Sequence, residues 1–205
     1  MEGKIVYFEK IGRENTEEVL RIARERAEEL GIKTILVAST YGDTAARAVE
    51  VFEGFRVVAV THANGIREPN TQQFSEENRR KVESKGGIIL TTTHALAGVN
   101  RAIRQKFATN TAVEIVAQAL HIFGAGMKVV CAITMMAADA GLVGTDEDVI
   151  VITGSGRGAD TAVVLKPVNS QNFFDLRVQE ILCKPHLAVA SQRSEVAAGE
   201  RRHHS

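Results

Sequence analysis

The sequence predicts an α/β protein with three layers, α/β/α, in which helices cover both faces of a mostly parallel sheet. Apolar runs of strand length alternate three times with amphipathic helical segments before the middle of the chain. Few polar residues interrupt these runs, which is typical of strands buried on both faces. The chain has 205 residues, of which 44% are hydrophobic, and this is sufficient for one domain with a full core.

The first strand is expected in KIVYFEK, residues 4–10, and a helix is expected over residues 14–31. Asn15 is the expected N-cap, with Glu18 as its capping-box partner, and Gly31 is expected to end the helix.

Strands and helices continue to alternate after this helix. The expected elements are a buried strand over residues 33–40, a turn and short helix over 41–54 that ends at Gly54, a strand over 55–65, a helix over 74–87 with Ser75 as its N-cap, and a buried strand over 87–96.

Residues 96–143 consist mostly of helix-forming residues, with a break at Gly124 and Gly126. The last helix of this region, residues 127–140, is apolar nearly all round, so it is expected to pack between other elements. Strands are then expected over residues 148–153, 161–166 and 180–186. We interpret residues 1–187 as one domain and residues 188–205, which lack periodicity, as a disordered tail.

The glycine-rich stretch VITGSGRGADTAVVLKP, residues 151–167, bears on the ligand. Gly154, Gly156 and Ala159 fit the dinucleotide fingerprint G-x-G-x-x-G/A, but that fingerprint requires a helix after the glycines. Here a second valine-rich run follows and ends at Pro167, which disfavours a helix. The stretch is better interpreted as strand, glycine turn and strand.

Polar residues follow four of the expected strands, where an open parallel sheet binds its ligands. The four segments are residues 39–44, 61–65, 91–94 and 153–158. Hydroxyls, free backbone N–H groups and the start of a helix after residue 42 suit a phosphate, and Arg157 could add a bidentate contact. Each segment alone could equally be a helix cap or a turn without a ligand.

Two stretches resemble the C-terminal domain of pyruvate kinases. Residues 14–62 contain a helix start similar to T-N-T-E, a loop similar to S/T-x-x-G-x-[ST]-A at residues 39–45, and a strand ending in AVT. Residues 147–166 resemble the last glycine loop of that domain. In allosteric pyruvate kinases these loops hold the phosphates of a sugar bisphosphate. The stretch from 63 to 144 departs from that domain and resembles instead a stand-alone, archaeal-type family of pyruvate kinase α/β domain proteins.

The stand-alone family implies flavin mononucleotide (FMN) as the ligand, with its phosphate in the loop at residues 39–44. The candidate binding residues follow from the two matched loops and from the polar segment near residue 93. They are Ser39, Thr40, Tyr41, Gly42, Thr44, Ala45, Thr92, Thr93, His94, Gly154, Ser155, Gly156 and Arg157. Pyruvate kinase chemistry takes place in a separate barrel domain, so we expect this chain not to be a pyruvate kinase.

Composition restricts the class of partner. Lys plus Arg equals Asp plus Glu at 25 each, which argues against a nucleic-acid surface. The first residues do not resemble a signal peptide, and the longest apolar run is too short to span a bilayer, so a cytoplasmic protein without a membrane anchor is expected. Asp, His and the two cysteines do not occur at metal-ligand spacings, so no metal is expected.

Three hypotheses for function remain open at this point. The first is a binding protein for a phosphate-bearing small molecule, with FMN preferred. The second is an enzyme that uses the same pocket, with His62, His94, Asp43 and Asp160 as the candidate acid–base groups. The third is a structural or assembly module in which the apolar helix after Met127 faces a partner subunit; a homo-oligomer is expected in any case.

Overall fold

A computed structural model describes residues 3–186, and these residues contain a seven-stranded sheet. The strand order across the sheet is β1-β7-β6-β5-β2-β3-β4. The strands are Val6–Phe8 (β1), Thr34–Ala38 (β2), Arg56–Val60 (β3), Ile88–Leu90 (β4), Val149–Thr153 (β5), Thr161–Lys166 (β6) and Arg177–Pro185 (β7). Only β6 runs antiparallel to its two neighbours, so the predicted mostly parallel sheet is confirmed.

The described region contains six α-helices. They are Thr16–Leu30 (α1), Asp43–Val51 (α2), Glu76–Ser84 (α3), Val99–Phe107 (α4), Ala112–Leu120 (α5) and Ala125–Asp139 (α6). Helices α1, α2 and α3 pack on one face of the sheet and α6 packs on the other, which confirms the three predicted layers.

The alternation of side chains along the central strands produces two cores. In β5, Ile150 and Ile152 lie in the core beneath α1, α2 and α3, while Val149 and Val151 lie in the core beneath α6. All five side chains of this strand are buried. Because both faces are covered, the central strands β2, β3, β5 and β6 consist almost entirely of apolar residues.

Helix α6 lies in the interior of the molecule, as its apolar sequence predicts. The sheet covers one side of it, and Ala132 and Met135 on its outer side pack with Leu96, Ala117 and Phe173. The hypothesis that this helix faces a partner subunit is therefore wrong, because the same chain already covers it.

Two of the helix caps predicted from the sequence are present in the structure, and one is not. Gly31 ends α1 with a φ of 69°, and the Ser75 hydroxyl accepts a hydrogen bond from the Asn78 N–H over 3.2 Å at the start of α3. The predicted capping box at Asn15 is wrong, because Asn15 has a helical backbone and its side chain donates to the Lys10 carbonyl.

The predicted strand at residues 87–96 is shorter and less buried than expected. Only Ile88–Leu90 pairs with the sheet, and all three side chains are half-buried. Strand β4 is the last strand of the sheet, so it has a neighbour on one side only. The interpretation of residues 151–167 as strand, turn and strand is confirmed, because β5 and β6 pair antiparallel. The predicted tail lies outside the described residues.

Candidate functional site

The four predicted polar segments lie at one edge of the sheet. Strands β2, β3, β4 and β5 are parallel, so their carboxyl ends lie side by side, with Ala38 opposite Val60 and Val37 opposite Ile152. Hydrogen bonds join the segments directly. Thr61 and Thr91 share one between their hydroxyls at 2.8 Å, and the Thr40 hydroxyl lies 3.4 Å from His62 Nε2. The prediction that these segments form one edge is confirmed.

The loop of residues 39–44, here called the hydroxyl loop, connects β2 to α2. Ser39 is buried, and its hydroxyl accepts a hydrogen bond from the Ala45 N–H over 3.3 Å. Gly42 has a φ of 97°, and a Cβ there would lie 2.5 Å from Asn78 Cβ and 2.8 Å from the Phe74 ring. Glycine is therefore required, because the loop lies directly against α3 and the segment before it.

Backbone N–H groups are available at the start of α2. Those of Tyr41, Gly42, Asp43 and Thr44 make no hydrogen bond within residues 3–186. The N-terminus of a helix carries a partial positive charge and presents such groups in one direction, an arrangement that binds anions. The side chains of Ser39 and Thr44 are both largely buried beside them.

The glycine-rich turn between β5 and β6 reaches the hydroxyl loop through Arg157. Its Nη2 donates to Asp43 Oδ2 over 2.9 Å, and its guanidinium carbon lies 5.3 Å from the centre of the Tyr41 ring. The hydrogen bond from Arg157 holds the pKa of the Asp43 carboxyl below its usual range. The turn therefore lies beside the loop as predicted, but Arg157 is already bound to a carboxylate.

The buried carboxylate of Asp160 holds the glycine-rich turn in position through hydrogen bonds. This residue is fully buried, and its Oδ2 accepts hydrogen bonds from the N–H groups of Gly12 and Ser155, each over 2.9 Å. Its Oδ1 accepts a bond from the Thr161 hydroxyl over 2.8 Å. These donors engage both oxygens of the buried carboxylate, which makes Asp160 part of the scaffold rather than an acid–base group that a ligand can reach.

Comparison with known proteins identifies the family of this chain. Residues 17–165 match the family described as pyruvate kinase, alpha/beta domain. The chain belongs to this family. The match contains both the hydroxyl loop and the glycine-rich turn. Among solved structures, a pyruvate kinase from Cryptosporidium parvum is similar, with 14% sequence identity and a TM-score of 0.40 over 75% of this chain. The chain covers 23% of that enzyme.

Several predicted site residues of this pyruvate kinase α/β domain support the loops rather than face a ligand. Ala45 is fully buried, so only its backbone takes part in the site. A Cβ on Gly154 would lie 2.4 Å from the Gly158 carbonyl oxygen, so this glycine lets the turn close on itself. Gly156 is exposed with a φ of 113° and open space around it.

Ser155 is the predicted residue with an unsatisfied group. Its Oγ is inaccessible to solvent and has no hydrogen-bond partner within the described residues. A buried hydroxyl without a partner is unfavourable by about 1–3 kcal/mol. The Ser155 hydroxyl is therefore an unsatisfied polar group inside the turn.

His94 lies after β4, with Thr92 half-buried and Thr93 exposed before it. Its Nδ1 accepts a hydrogen bond from the Leu96 N–H over 3.1 Å, so the ring proton is on Nε2. Burial lowers the pKa of His94 to about 4, and the positive charge of Lys128 adds to this effect. At neutral pH the imidazole is therefore uncharged, with its N–H at Nε2.

Sequence reasoning missed two cations at this edge, Lys128 and Arg101. Lys128 lies near the start of α6, which meets the sheet where the Thr153 hydroxyl donates to the Gly126 carbonyl over 2.9 Å. Lys128 is half-buried, and burial lowers its pKa, with Arg101 adding to the effect. The signal in the sequence was a single basic residue in an otherwise apolar helix.

Two surface clefts lie at the opposite, amino edge of the sheet. One of about 330 Å³ includes Lys166 and Asn169, and one of about 430 Å³ includes Lys33 and Asp148. Neither contains a predicted site residue. We therefore assign the candidate site to the carboxyl edge, where the predicted site residues lie and the N–H groups of residues 41–44 are available. Across residues 3–186, no three His, Cys, Asp or Glu side chains are grouped so as to hold a metal ion.

Proposed function

We propose that this chain binds a phosphate-bearing small molecule at the carboxyl edge of the sheet, with FMN as the leading candidate. The observation that supports this most directly is the set of unbonded N–H groups of residues 41–44 at the start of α2. They lie beside the hydroxyls of Ser39, Thr40 and Thr44, and a phosphate accepts hydrogen bonds from both kinds of donor.

Different residues of the site contact different parts of the ligand. The hydroxyl loop holds the phosphate, while Thr92, Thr93 and His94 contact the remainder of the ligand. The Arg157 guanidinium lies over the Tyr41 ring, with its carbon 5.3 Å from the ring centre, and the exposed Tyr41 provides an aromatic ring for stacking against a planar ligand. Bound FMN would supply electron or hydride transfer, which is the basis of the enzymatic alternative.

The charge balance of the loop also supports a phosphate. Asp43 alone would repel an anion at the start of α2, but Arg157 neutralises its carboxylate over 2.9 Å. The hydroxyl loop therefore presents hydrogen-bond donors to a ligand beside an Asp43 carboxylate whose charge is compensated.

The test compares FMN with riboflavin, which has the same ring system and lacks the phosphate. FMN is expected to raise the melting temperature and to bind with a Kd at least about ten-fold lower than that of riboflavin, because one charge-assisted contact is worth roughly 1.5–3 kcal/mol. Thr40→Val should reduce this preference, because it removes one of the hydroxyl donors and leaves the backbone N–H groups in place. Thr145→Val, at the opposite edge, should retain it.

Equal affinity for FMN and riboflavin would contradict the phosphate assignment. An absence of binding to both would remove FMN, and a thermal-shift screen of sugar phosphates and nucleotides would then test the wider class. A visible flavin spectrum in protein purified without added ligand is the expected result of the first preparation.

We propose homo-oligomer formation as a second function, on a surface other than α6. Large apolar side chains are exposed on α4, α5 and the turn at residues 121–123, with Val99 74% and Ile122 81% exposed. The other members of this group are Phe107, Ile115 and Phe123. Such a surface favours association. Sedimentation velocity should show an oligomer that Val99→Ser with Ile122→Ser dissociates, and a monomeric parent chain would contradict this.

A cytoplasmic location also forms part of the proposal. Cys131 and Cys183 are both buried, unpaired thiols, and burial raises their pKa to about 11 and about 12. Unpaired cysteines are the normal state in a reducing compartment.

A further inference from the structure

Three cationic or donor groups from separate elements lie together at the carboxyl edge. They are Lys128 on α6, Arg101 on α4 and His94 after β4, here called the cationic cluster. Leu96, whose N–H donates to His94 Nδ1, packs in one apolar cluster with Ala132, which lies one turn along α6 from Lys128. The Ala97 N–H donates to the His94 carbonyl over 3.0 Å, and the Arg101 N–H donates to the Gly98 carbonyl over 3.1 Å, so the start of α4 adjoins His94. In keeping with this placement, the charges of Lys128 and Arg101 both act on the His94 ring. His121, on the turn before α6, is affected by Lys128 as well.

No carboxylate neutralises this cluster within residues 3–186. The Lys128 ammonium and the Arg101 guanidinium make no hydrogen bond or ion pair there, whereas Arg104, one turn further along α4, pairs with Glu114 at 3.2 Å. Asp43 and Asp160, also at this edge, are already engaged, Asp43 by Arg157 and Asp160 by three donors. A half-buried ammonium ion without a counter-charge is unfavourable, and an anionic ligand would relieve that cost.

His94, the third member of the cationic cluster, provides a neutral N–H donor at Nε2. His94 Nδ1 accepts from the Leu96 N–H, which leaves Nε2 to donate. The neighbouring imidazole of His62 is occupied at both nitrogens, with Nδ1 3.1 Å from Gln73 Oε1 and Nε2 3.4 Å from the Thr40 hydroxyl. Two cations and one N–H donor are the groups with which proteins bind a carboxylate or phosphate.

We propose that Lys128, Arg101 and His94 bind an oxyanion, a carboxylate or a second phosphate, separate from the phosphate held by the hydroxyl loop. The physiological ligand, or the pair of ligands that share this edge, would then carry two anionic groups. The inference that one ligand carries two anionic groups rests on the proposed function. The inference that the cationic cluster binds an anion is independent of it.

The test is a titration of the full chain with inorganic phosphate, followed by NMR. The His94 ring Cε1–H reports on the cationic cluster, and the Gly42 amide reports on the hydroxyl loop. Both signals are expected to shift in the parent chain. Lys128→Met retains the apolar stem and should weaken the response at His94 by about ten-fold or more while changing that at Gly42 less than two-fold.

Two further variants separate charge from structure. Lys128→Arg retains the cation and should preserve the His94 response. Lys166→Met removes a lysine from the end of β6 at the opposite edge and should leave both responses as in the parent. A His94 signal that does not respond to phosphate, or that responds equally in Lys128→Met, would overturn the proposal. A response at His94 without one at Gly42 would support the cationic cluster and contradict the phosphate assignment of the hydroxyl loop.

Discussion

Arg157 donates a hydrogen bond from Nη2 to Oδ2 of Asp43 over 2.9 Å, and this bond joins the glycine-rich turn to the start of α2. The two residues are 114 positions apart in the sequence. Their side chains are 62% and 52% exposed, so an ion pair of this kind contributes at most about 1 kcal/mol to stability. Its consequence lies in the site, because it sets the charge beside the proposed phosphate.

Asp43→Asn is expected to raise the affinity for FMN by roughly ten-fold, because it removes a negative charge near the phosphate and releases Arg157 to bind it. The free energy of unfolding should change by less than about 1 kcal/mol. Isothermal titration calorimetry and urea denaturation measure the two effects. Arg157→Met should have the opposite effect on affinity, and Asp146→Asn, at the amino edge, should have none. Weaker FMN binding in Asp43→Asn would show that the carboxylate assists the ligand.

Asp160→Asn is expected to destabilise the chain by about 3 kcal/mol, because an amide cannot replace a carboxylate that accepts from Gly12, Ser155 and Thr161 at once. Urea denaturation should show a lower midpoint with an unchanged slope. Asp175→Asn, an exposed position, serves as the control and should change stability by less than about 0.5 kcal/mol. A fully stable Asp160→Asn protein would mean that the turn does not depend on this carboxylate.

His94 should make stability depend on pH between 6.5 and about 4. In this range the unfolded chain binds a proton at His94 and the folded chain does not. Stability is therefore complete above pH 6.5 and falls as the pH decreases, by about 3 kcal/mol from this residue.

His94→Asn places an amide oxygen near the position of Nδ1 and should flatten this part of the pH profile. The comparison uses urea denaturation at several pH values, and the chemical shift of His94 Cε1–H reports the pKa directly. A pKa near 6.5 for His94 would contradict the expected effect of burial.

Gly126→Ala is expected to destabilise the chain by about 2 kcal/mol through overpacking. A Cβ at this position would lie 2.3 Å from the Thr161 hydroxyl oxygen and 2.7 Å from Thr161 Cβ. The start of α6 would have to move away from the sheet, so the response of His94 to phosphate should weaken as well. Gly3→Ala meets no atom within 4 Å and is the matched control. Thermal denaturation of both variants tests this, and equal melting temperatures would show that α6 tolerates the added methyl group.

Local signals in the sequence were sufficient for much of the fold. The apolar runs at residues 33–40 and 148–153 predicted β2 and β5, because strands buried on both faces are continuous apolar segments that can be recognised in the sequence. Gly31 and Ser75 marked helix ends for stereochemical reasons that act within one turn. The same local reasoning failed at Asn15, where a neighbouring loop competes for the side chain through the Lys10 carbonyl.

By itself the sequence determined the fold class, the parallel sheet edge on which four polar segments meet, and the glycine-rich turn, because periodicity and glycine chemistry depend on neighbouring residues. The tertiary structure alone decided which charges meet at that edge. Arg157 is paired with Asp43, Asp160 is buried as scaffold, and Lys128 stands without a carboxylate beside His94 within the described part of the chain. Electrostatic partners are set by distance in space, and residues from different elements approach one another only when the sheet brings them together.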